Sequence, residues 1–562
     1  MGIPQYFSWL KQKFPGSFQD GTPRKLNLTN VEHCYIDLNC YLHNVVRRAT
    51  NFDTFVGLVK REVEGLLNQF PRDKTVYLAV DGPAARAKVL LQRKRRRAKQ
   101  SSSFSIGISP GTTLMRKLCD GLREWCATLA KKRSIEVTLS DGFVPGEGEH
   151  KIISAIMTNQ AKSRGAHCVV GSDSDLFLIV LGAAAKNVYT WDGEHRPGIV
   201  FTRNNMVNRI LESCTGMKNA SQGQQQMQRG SLLHSGSALE TAIRLDFSLL
   251  SLLRGDDYLP SLVTFEAAYK VYEQLVKPVC QKQAVDKWAI IKRNLSGSSA
   301  AGKNLGENAG DLAGTHDFFD SDSAAVLDDY GAALHSFRAN ETLPQCIAGL
   351  NAHKQLVVAG GANNKASGAG GADAILQKIT PECVDVITNY LQGLCWVLDI
   401  YQNGRPLDYH YVCRSTGESS TARTLPRLDE TLVAAWMLNH KREFGSIRGA
   451  VNLDAPDTGN PLHPTTAAMC LIPSNSIKSC LDSETWKAVS ELLKPATDTL
   501  LGPVVLFEDD PEVKRLKANL GVESAEYNKR LTFVQVYRPR MHRDKAQDAN
   551  CSDCLPRSPC QF

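Results

Sequence analysis

Two pairs of acidic residues, each beside an apolar element, constrain the fold of this chain most strongly. Asp173 and Asp175 follow a β-branched apolar run in CVVGSDSD, which predicts the carboxyl end of a buried strand. Glu147 and Glu149 follow a Pro-Gly turn and precede KIISAIM, whose periodicity predicts a helix. Open α/β sheets bind ligands at the carboxyl ends of their strands, where converging carboxylates repel each other unless cations lie between them. The alternative is a solvated acidic turn and a helix start that favours Glu.

Apolar strands and amphipathic helices alternate around these acids. The runs VEHCYID, TVYLAVDG and SIEVTLSDG each predict a buried strand, and the segments between them have helical periodicity. Strands that are apolar throughout indicate a parallel sheet covered on both faces. We therefore expect an α/β fold with a mostly parallel sheet, helices on both faces, and a second, mainly helical region that braces it.

The composition is that of an ordinary globular protein with excess positive charge. Of the 562 residues, 42% are hydrophobic and 22% charged, and the net charge of +8 permits a polyanionic partner. The 16 cysteines follow no regular spacing, which favours reduced thiols in an intracellular protein of the nucleus or cytoplasm. We find no apolar run that could span a bilayer and no secretion signal, so we expect neither membrane insertion nor secretion.

Changes in composition divide the chain into regions. Low-complexity stretches rich in Gly, Ser, Gln or Asn cannot bury a core, but they offer places for protein partners. A zinc site in the tail would need a fourth ligand besides its three cysteines. The predicted regions are a catalytic domain at 1–270, an insertion within it at 216–238, a helical segment with low-complexity linkers at 271–374, a second ordered region at 375–540 and a disordered tail at 541–562.

Seven acidic residues fall at strand ends, at a helix start or in a loop, and we expect them to meet in one cleft. Oxygen ligands suit hard cations such as Mg²⁺ or Mn²⁺, and no His or Cys shares the spacing that zinc would need. Two such ions about 4 Å apart commonly catalyse in-line attack on a phosphodiester. A single Asp at a strand end is more often a loop cap, but seven are hard to explain in that way. The predicted metal ligands, which are also the predicted catalytic residues, are Asp37, Asp81, Glu147, Glu149, Asp173, Asp175 and Asp257.

A basic helix is predicted directly after Asp81. Its residues Lys88, Gln92, Arg95 and Arg96 fall at i, i+4, i+7 and i+8, and therefore share one helical face. A cationic face beside an anionic metal cleft suits a terminal phosphate that is held while the adjacent linkage is cut. The alternative for RKRRRAK is a nuclear localisation signal or a general polyanion-binding patch. The regular spacing and the position after Asp81 favour the phosphate pocket.

Aromatic side chains would matter for a single-stranded substrate, because bases stack on them with about 1–3 kcal/mol each. His43 follows Asp37 on the same strand–helix segment, and Trp396 lies in GLCWVLDIYQNG of the second ordered region. Each residue also has an alternative interpretation. In it, His43 is a partly buried helix residue without a function, and Trp396 packs in the core.

With these residues in place, the chain resembles the Xrn-type 5′→3′ exoribonuclease family. The resemblance begins with MGIPQYFSWLKQKFP, IDLNCYLH, AVDGPAARAKVLLQRKRRR, ISPGTTLM, VPGEGEHKI, GSDSDLFLIVL and GDDYLP. It continues in LQGLCWVLDIYQNG and PLHPTTAAMCLIPSNS, which are similar to the family's second conserved region. The order and approximate spacing of these motifs agree over most of the chain.

The resemblance implies a PIN-like, flap-nuclease-like domain braced by a second region. It places the seven acids on the family's metal-binding positions and the basic face on its pocket for a 5′-monophosphate. His43 and Trp396 match its base-stacking positions. The implied reaction is hydrolysis of single-stranded RNA from a 5′-monophosphate end to 5′-mononucleotides, with two Mg²⁺ or Mn²⁺ ions, in RNA decay or processing.

The chain departs from the family pattern at several places. Asp256 stands where the family commonly has Asn, which adds a charge near the metals. The segment between the basic helix and ISPGTTLM is short, so the family's projecting tower should be reduced. The aromatic stretch after Tyr401 is cut down to RPLDYHY. We expect a short member that lacks the large C-terminal extensions of the family's cytoplasmic members.

Two other functions remain as alternatives. A structure-specific flap-type DNA nuclease would carry a helix–hairpin–helix element after GSDSD, where this chain has a Gln-rich insertion and GDDYLP. A non-catalytic RNA-binding relative would have lost acids or basic residues from the two sites, and all are present here.

Overall fold

A computed structural model of the chain contains one mixed sheet with helices on both faces. Nearly all of the predicted insertion 216–238, most of the predicted segment 271–374 and the predicted tail 541–562 lie outside the residues that the structure describes. The described residues are 3, 5–28, 31–70, 75–98, 106–160, 165–183, 185, 187–194, 198–215, 238–264, 266–274, 377–406, 408–413, 428–444, 461–472, 474–487 and 535–537.

The strands form a sheet of order β1-β7-β6-β5-β2-β3-β4-β8. The five strands from β6 to β4 are parallel, whereas β1, β7 and β8 run antiparallel to their neighbours. The strand bounds are β1 Phe18–Asp20, β2 Val31–Asp37, β3 Thr75–Ala79, β4 Glu136–Ser140, β5 Ala166–Val170, β6 Val188–Asp192, β7 Ile199–Thr202 and β8 Gln535–Tyr537.

Helices connect the parallel strands, and further helices follow the strands along the chain. None of the described helices is both long and apolar enough to cross a membrane. The helices are α1 Tyr6–Lys13, α2 Leu38–Val46, α3 Phe52–Leu67, α4 Arg86–Ala98, α5 Thr113–Arg133, α6 Gly148–Gln160, α7 Leu176–Gly182, α8 Arg203–Thr215, α9 Ala238–Leu252, α10 Pro381–Asn403, α11 Glu430–Phe444, α12 Pro464–Leu471 and α13 Ser474–Cys480.

Strand β2 marks the point where the strand order reverses. Its Tyr35 lies opposite Tyr77 of β3 on one side and opposite Val169 of β5 on the other. The loops that follow β2 and β5 therefore leave the sheet in different directions and open a crevice at the carboxyl ends of the strands. The expected α/β fold with a mostly parallel sheet is confirmed. The antiparallel edges β1, β7 and β8 were not predicted, because strands of three or four residues carry little periodicity.

Side chains on the two faces of the sheet belong to two separate apolar cores. Tyr35 of β2 packs with helices α1, α6, α7, α9 and α10, whereas Cys34 and Ile36 pack with α2, α3 and α5. This alternation follows from the two-residue period of a strand, and both faces are apolar because both are covered.

The helices after residue 380 pack directly onto the sheet domain. Helix α10 lies against α6 and α7, and its Tyr401 is 1% exposed in the same apolar core as Tyr35 of β2. Helix α12 packs on the basic helix α4, where Leu471 and Cys470 contact Val89. The expected bracing by a second helical region is confirmed, while the domain boundaries remain predictions.

The turn before α5 depends on a glycine. Gly111 has φ +83°, and a Cβ atom there would lie 2.0 Å from the carbonyl oxygen of Pro464 at the start of α12. We expect Gly111→Ala to destabilise the protein by at least about 2 kcal/mol, because the left-handed backbone alone costs an L-residue about 1–2 kcal/mol. Chemical denaturation measures this loss of stability.

Gly57→Ala within α3 is the control. A Cβ atom there would meet no atom within 4 Å, and this variant should instead be more stable by about 0.5–1 kcal/mol. Equal stability of the two variants would contradict the packing of α12 on this turn.

Candidate metal centre and phosphate pocket

Three of the predicted acids lie at the carboxyl ends of adjacent parallel strands. Asp37 ends β2 and caps α2, since its Oδ1 accepts a hydrogen bond of 3.0 Å from the backbone N–H of Asn39. Asp81 lies two residues beyond β3, and Asp173 lies three residues beyond β5. The sheet topology therefore places their carboxylates at one edge.

The start of α6 packs against the acids at this edge of the sheet. The backbone N–H of Gly148 donates to Asp81 Oδ1 at 2.7 Å, and a Cβ atom on Gly148 would lie 2.8 Å from Asp37 Oδ1. A residue with a side chain would therefore push the helix away from the acids. The side-chain carbonyl of Asn39 accepts the N–H of Asp81 at 3.1 Å, which ties β3 to α2.

The other four acids come from the start of α6 and the turn before it, the loop before α7 and the loop after α9. Glu147 and Asp257 both form ion pairs with Lys88 of α4, and the Lys88–Asp257 distance is 2.8 Å. Asp175 Oδ1 accepts a 3.1 Å hydrogen bond from the backbone N–H of Ile3, which holds the N-terminal segment beside the cleft. Glu149 is 7% exposed at the start of α6.

The charges of the acids influence one another across the cleft. Burial, followed by the negative charges of Asp81 and Asp173, raises the pKa of Asp37 to about 8. Burial and then the charge of Glu147 raise the pKa of Asp81 to about 6. These carboxylates lie close enough together to resist simultaneous ionisation.

The same effect links the remaining acids. Burial, then the charge of Asp257, raises the pKa of Asp175 to about 7. Burial, then the charge of Asp175, raises the pKa of Glu149 well above its usual range, and Asp37 contributes to this shift. The structure thus brings all seven predicted acids together, although their roles in metal binding and catalysis remain predictions.

The donor set fits divalent cations. Oε1 of the buried Glu149 has no hydrogen-bond partner among the described residues, so a cation would satisfy an otherwise unpaired acceptor. The expectation of oxygen ligands alone remains a prediction, although a cysteine and a histidine lie close to the acids. Cys40 Sγ lies 3.2 Å from Asp37 Oδ2 and 3.7 Å from Asp173 Oδ2, and His150 Nε2 lies 3.6 Å from Glu149 Oε1. Cys40 is the third residue after the capping Asp37, a spacing that the sequence reasoning had overlooked.

The predicted phosphate-binding face of α4 lies against the acids. Lys88 is buried, and although burial opposes its charge, Glu147 and Asp257 raise its pKa well above the usual value. Arg95 contacts both carboxylate oxygens of Asp257, at 2.7 and 3.4 Å. Burial alone would raise the pKa of Asp257, but Lys88 and Arg95 outweigh it and lower the pKa to about 2.

The other two residues of this face lie farther along α4. Arg96 donates to the carbonyl oxygen of Leu471 at 3.1 Å and to Ser109 Oγ at 2.7 Å, so the end of α12 fixes its guanidinium group. Gln92 is half-buried on the same face. All four residues are therefore on one helix beside the acids, and phosphate binding remains a prediction.

The two predicted stacking residues differ in their exposure. His43 is exposed on α2, where partial enclosure, followed by the charges of Arg96 and Arg47, lowers its pKa. Trp396 is only 2% exposed, and its Nε1–H donates to the carbonyl oxygen of Asp408 at 2.9 Å. A ring buried in this way offers no free face to a base, so the structure favours the core-packing alternative for Trp396 over base stacking.

Two further residues contact the cleft, and the sequence reasoning did not select them. The hydroxyl of Tyr258 donates to Glu147 Oε1. Lys151 is fully enclosed, and its Nζ donates to the carbonyl oxygens of Val80 at 2.6 Å and Asp141 at 2.8 Å, beside Asp81. Both residues are adjacent to predicted motifs, in GDDYLP and GEGEHK, which is the one signal that could have identified them.

These pKa shifts predict how pH affects the stability of the metal-free protein. Asp37 and Asp175 have folded-state pKa values of about 8 and 7, above the usual 3.8, so the folded protein binds more protons than the unfolded chain. Their stabilising contribution is complete below pH 3.8 and is lost as the pH rises through these folded values. We therefore expect the melting temperature in chelator to fall between pH 6.5 and 7.5, a window that lies above the lowered pKa of about 4 of His150 and below the lowered pKa of about 8 of Lys151.

Thermal melts with and without Mg²⁺ provide the measurement. Saturating Mg²⁺ should flatten the decline, because bound cations stabilise the ionised carboxylates. Stability that rises over this window in chelator would contradict the crowding of the acids.

Comparison with known proteins connects this site to a family. The family model described as XRN 5′-3′ exonuclease N-terminus matches residues 1–105 and 97–191. The chain is 28% identical over 249 residues to the 5′-3′ exoribonuclease 2 homolog of Caenorhabditis elegans, covering 33% of this chain and 25% of that protein. It is 30% identical over 216 residues to the 5′-3′ exoribonuclease 1 of Schizosaccharomyces pombe, covering 32% of this chain and 16% of that protein. The chain thus aligns with a quarter or less of the length of these relatives.

Among solved structures, the catalytic core of Rad2 in complex with DNA substrate shares 12% sequence identity with the chain, at a TM-score of 0.28. The match covers 57% of this chain and 84% of that one, and so low a score supports no argument about function. The family model, in contrast, covers the segments that carry six of the seven acids and the basic helix. Residues 1–191 are therefore similar to the N-terminal part of the XRN 5′-3′ exonucleases, the family that the motifs in this part of the chain indicate.

Proposed function

We propose that the chain is a Mg²⁺-dependent 5′→3′ exoribonuclease that hydrolyses single-stranded RNA from a 5′-monophosphate end to 5′-mononucleotides. The observation that carries the proposal is the position of the basic face of α4 directly beside the seven acids. Lys88 contacts Glu147 and Asp257 at the same time, so the predicted phosphate pocket and the predicted metal cleft share a wall.

The acids would hold two Mg²⁺ or Mn²⁺ ions. Such ions activate water and stabilise the charge that develops on the phosphate during in-line displacement. Glu147 and Asp257 are the carboxylates that now pair with Lys88 and Arg95. Neutralisation of these carboxylates by cations is expected to release Lys88 and Arg95 towards the terminal phosphate of the RNA.

The remaining predicted residues would select the end of the RNA. Arg96 is fixed by Leu471 and Ser109, which makes the far end of the basic face rigid. A cap or triphosphate would be too bulky for a pocket of this kind. His43, which is exposed near Arg96, would stack on the first base. Activity in the nucleus or cytoplasm, in RNA decay or processing, and protein partners that bind the low-complexity stretches are further parts of the proposal.

The proposal is tested with one RNA sequence that carries a 5′-monophosphate, a 5′-hydroxyl or a 5′-triphosphate, in the presence of Mg²⁺. We expect release of mononucleotides from the monophosphate RNA and little from the other two. A flap-DNA substrate in parallel tests the alternative DNA nuclease. Cleavage of the flap DNA with all three RNAs intact would contradict the proposal, and RNA binding without cleavage would indicate the non-catalytic alternative.

A further inference from the structure

Tyr258 lies where three of the predicted functional segments meet. Its hydroxyl donates to Oε1 of Glu147, whose other carboxylate oxygen pairs with Lys88. The same hydroxyl lies 3.3 Å from His150 Nε2. Tyr258 and Lys88 therefore each hold one oxygen of the Glu147 carboxylate.

The ring of Tyr258 is held on several sides. The His150 ring stacks on it at 6.1 Å with an interplanar angle of 30°, and Lys88 Nζ lies 5.7 Å from its centroid. Trp396 of α10 approaches edge-on, with the centroids 5.3 Å apart and an interplanar angle of 82°. The Tyr258 side chain is 4% exposed, so it has little freedom to move away from Glu147.

Trp396 is itself fixed from the second helical region. Its indole N–H donates to the carbonyl oxygen of Asp408, and the Tyr411 ring packs on it with centroids 4.8 Å apart. A continuous chain of contacts thus runs from the loop at 408–411 through Trp396 and Tyr258 to Glu147.

We propose that Tyr258 is a positioning residue for Glu147 in the metal centre, and that Trp396 acts on the metal centre by holding Tyr258. The inference rests on the metal cleft of the proposed function, and it gives Trp396 a role other than base stacking. Groups that hydrogen-bond to a metal-binding carboxylate orient it, and their loss typically weakens metal binding about 10–100-fold. In this chain of contacts Trp396 reaches Glu147 through Tyr258, so its effect on the metal should require the tyrosine hydroxyl.

The test is calorimetric titration of the full-length chain with Mn²⁺, which needs no RNA. Tyr258→Phe keeps the ring and removes the hydroxyl, and we expect its Kd for Mn²⁺ to rise about 10–100-fold. Tyr390→Phe is the matched control, because Tyr390 is also a buried tyrosine of this core and its hydroxyl has no hydrogen-bond partner among the described residues. The control should bind Mn²⁺ with wild-type affinity.

A double-mutant cycle tests the part played by Trp396. Trp396→Leu should weaken Mn²⁺ binding in the wild-type background and add little in the Tyr258→Phe background, since the two residues act in series. Trp396→Phe keeps an aromatic edge and should bind Mn²⁺ more tightly than Trp396→Leu. If the leucine protein does not fold, Trp396→Phe takes its place in the cycle.

Wild-type affinity in Tyr258→Phe would overturn the inference, as would full additivity in the cycle. Failure of this inference can be distinguished from failure of the proposed function. If the wild-type protein does not hydrolyse RNA, the proposed function is contradicted, but the Mn²⁺ titration still measures the effect of Tyr258 on metal binding.

Discussion

Asp173→Ala is expected to abolish RNA hydrolysis without unfolding the protein. Asp173 lies beside Asp37 and Cys40 at the carboxyl end of β5, and its loss removes one wall of the metal cleft. A metal ion contributes several kcal/mol of transition-state stabilisation, and a loss of about 4 kcal/mol corresponds to about a thousandfold in rate. Steady-state rates on 5′-monophosphate RNA measure the effect.

The stability of this variant separates a catalytic loss from a folding defect. The charge of Asp173 is one of the causes that raise the pKa of Asp37, so its removal relieves repulsion in the metal-free protein. We therefore expect metal-free Asp173→Ala to melt at or above the wild-type temperature. Asp53→Ala, in the exposed first turn of α3, is the matched control and should keep full activity. Activity that survives in Asp173→Ala would mean that the metal assignment is wrong.

Lys88→Met is expected to have the largest effect on the stability of the metal-free protein. Lys88 is buried between Glu147 and Asp257, and its removal leaves the buried Glu147 without a cationic partner among the described residues and Asp257 paired with Arg95 alone. Loss of one partner from a buried ion pair typically costs about 3–5 kcal/mol. Chemical denaturation in the presence of a chelator measures this cost.

Mg²⁺ should recover much of the lost stability in Lys88→Met, because bound cations replace the missing positive charge. The same variant should lose the preference for 5′-monophosphate RNA over 5′-hydroxyl RNA. Lys132→Met is the control, since Lys132 pairs with Glu64 at 3.3 Å while its side chain is 63% exposed. Exposed pairs contribute about 0–1 kcal/mol, so this variant should remain close to wild type. A metal-free Lys88→Met protein as stable as the control would contradict the buried network.

Local patterns in the sequence predicted the elements that carry the site. The run VEHCYID followed by LNCYLH becomes β2 and α2 with Asp37 between them, and the helical spacing of Lys88 and Arg95 places both on one face of α4 towards Asp257. These features depend on strand and helix periods of a few residues, which the sequence displays directly.

Features that depend on contacts between distant segments could not be predicted in this way. The apolar neighbours of Trp396 fit both a core position and a pocket wall, and only the packing of Tyr258 and Tyr411 around it decides between them. The anchoring of Arg96 on Leu471 joins residues 375 positions apart, and no periodicity reports such a contact. The apolar run of β2 was clear in the sequence, whereas the neighbours of β2 in the sheet were not.

The second helical region affects the site through contacts between distant segments. Its residues do not supply the predicted metal ligands, yet α10 and α12 contact the residues that hold the acids and the basic face. Substitutions there are expected to act on metal and phosphate binding through Tyr258 and Arg96.

The central claim is most directly tested by the first product formed from RNA labelled on its 5′-monophosphate. With enzyme in excess and Mg²⁺ present, we expect the label to appear at once in a 5′-mononucleotide, while the remaining RNA shortens from its 5′ end. A label that first appears in longer oligonucleotides, or that stays on RNA shortened from the 3′ end, would contradict a 5′→3′ exonuclease acting from the phosphate pocket of α4.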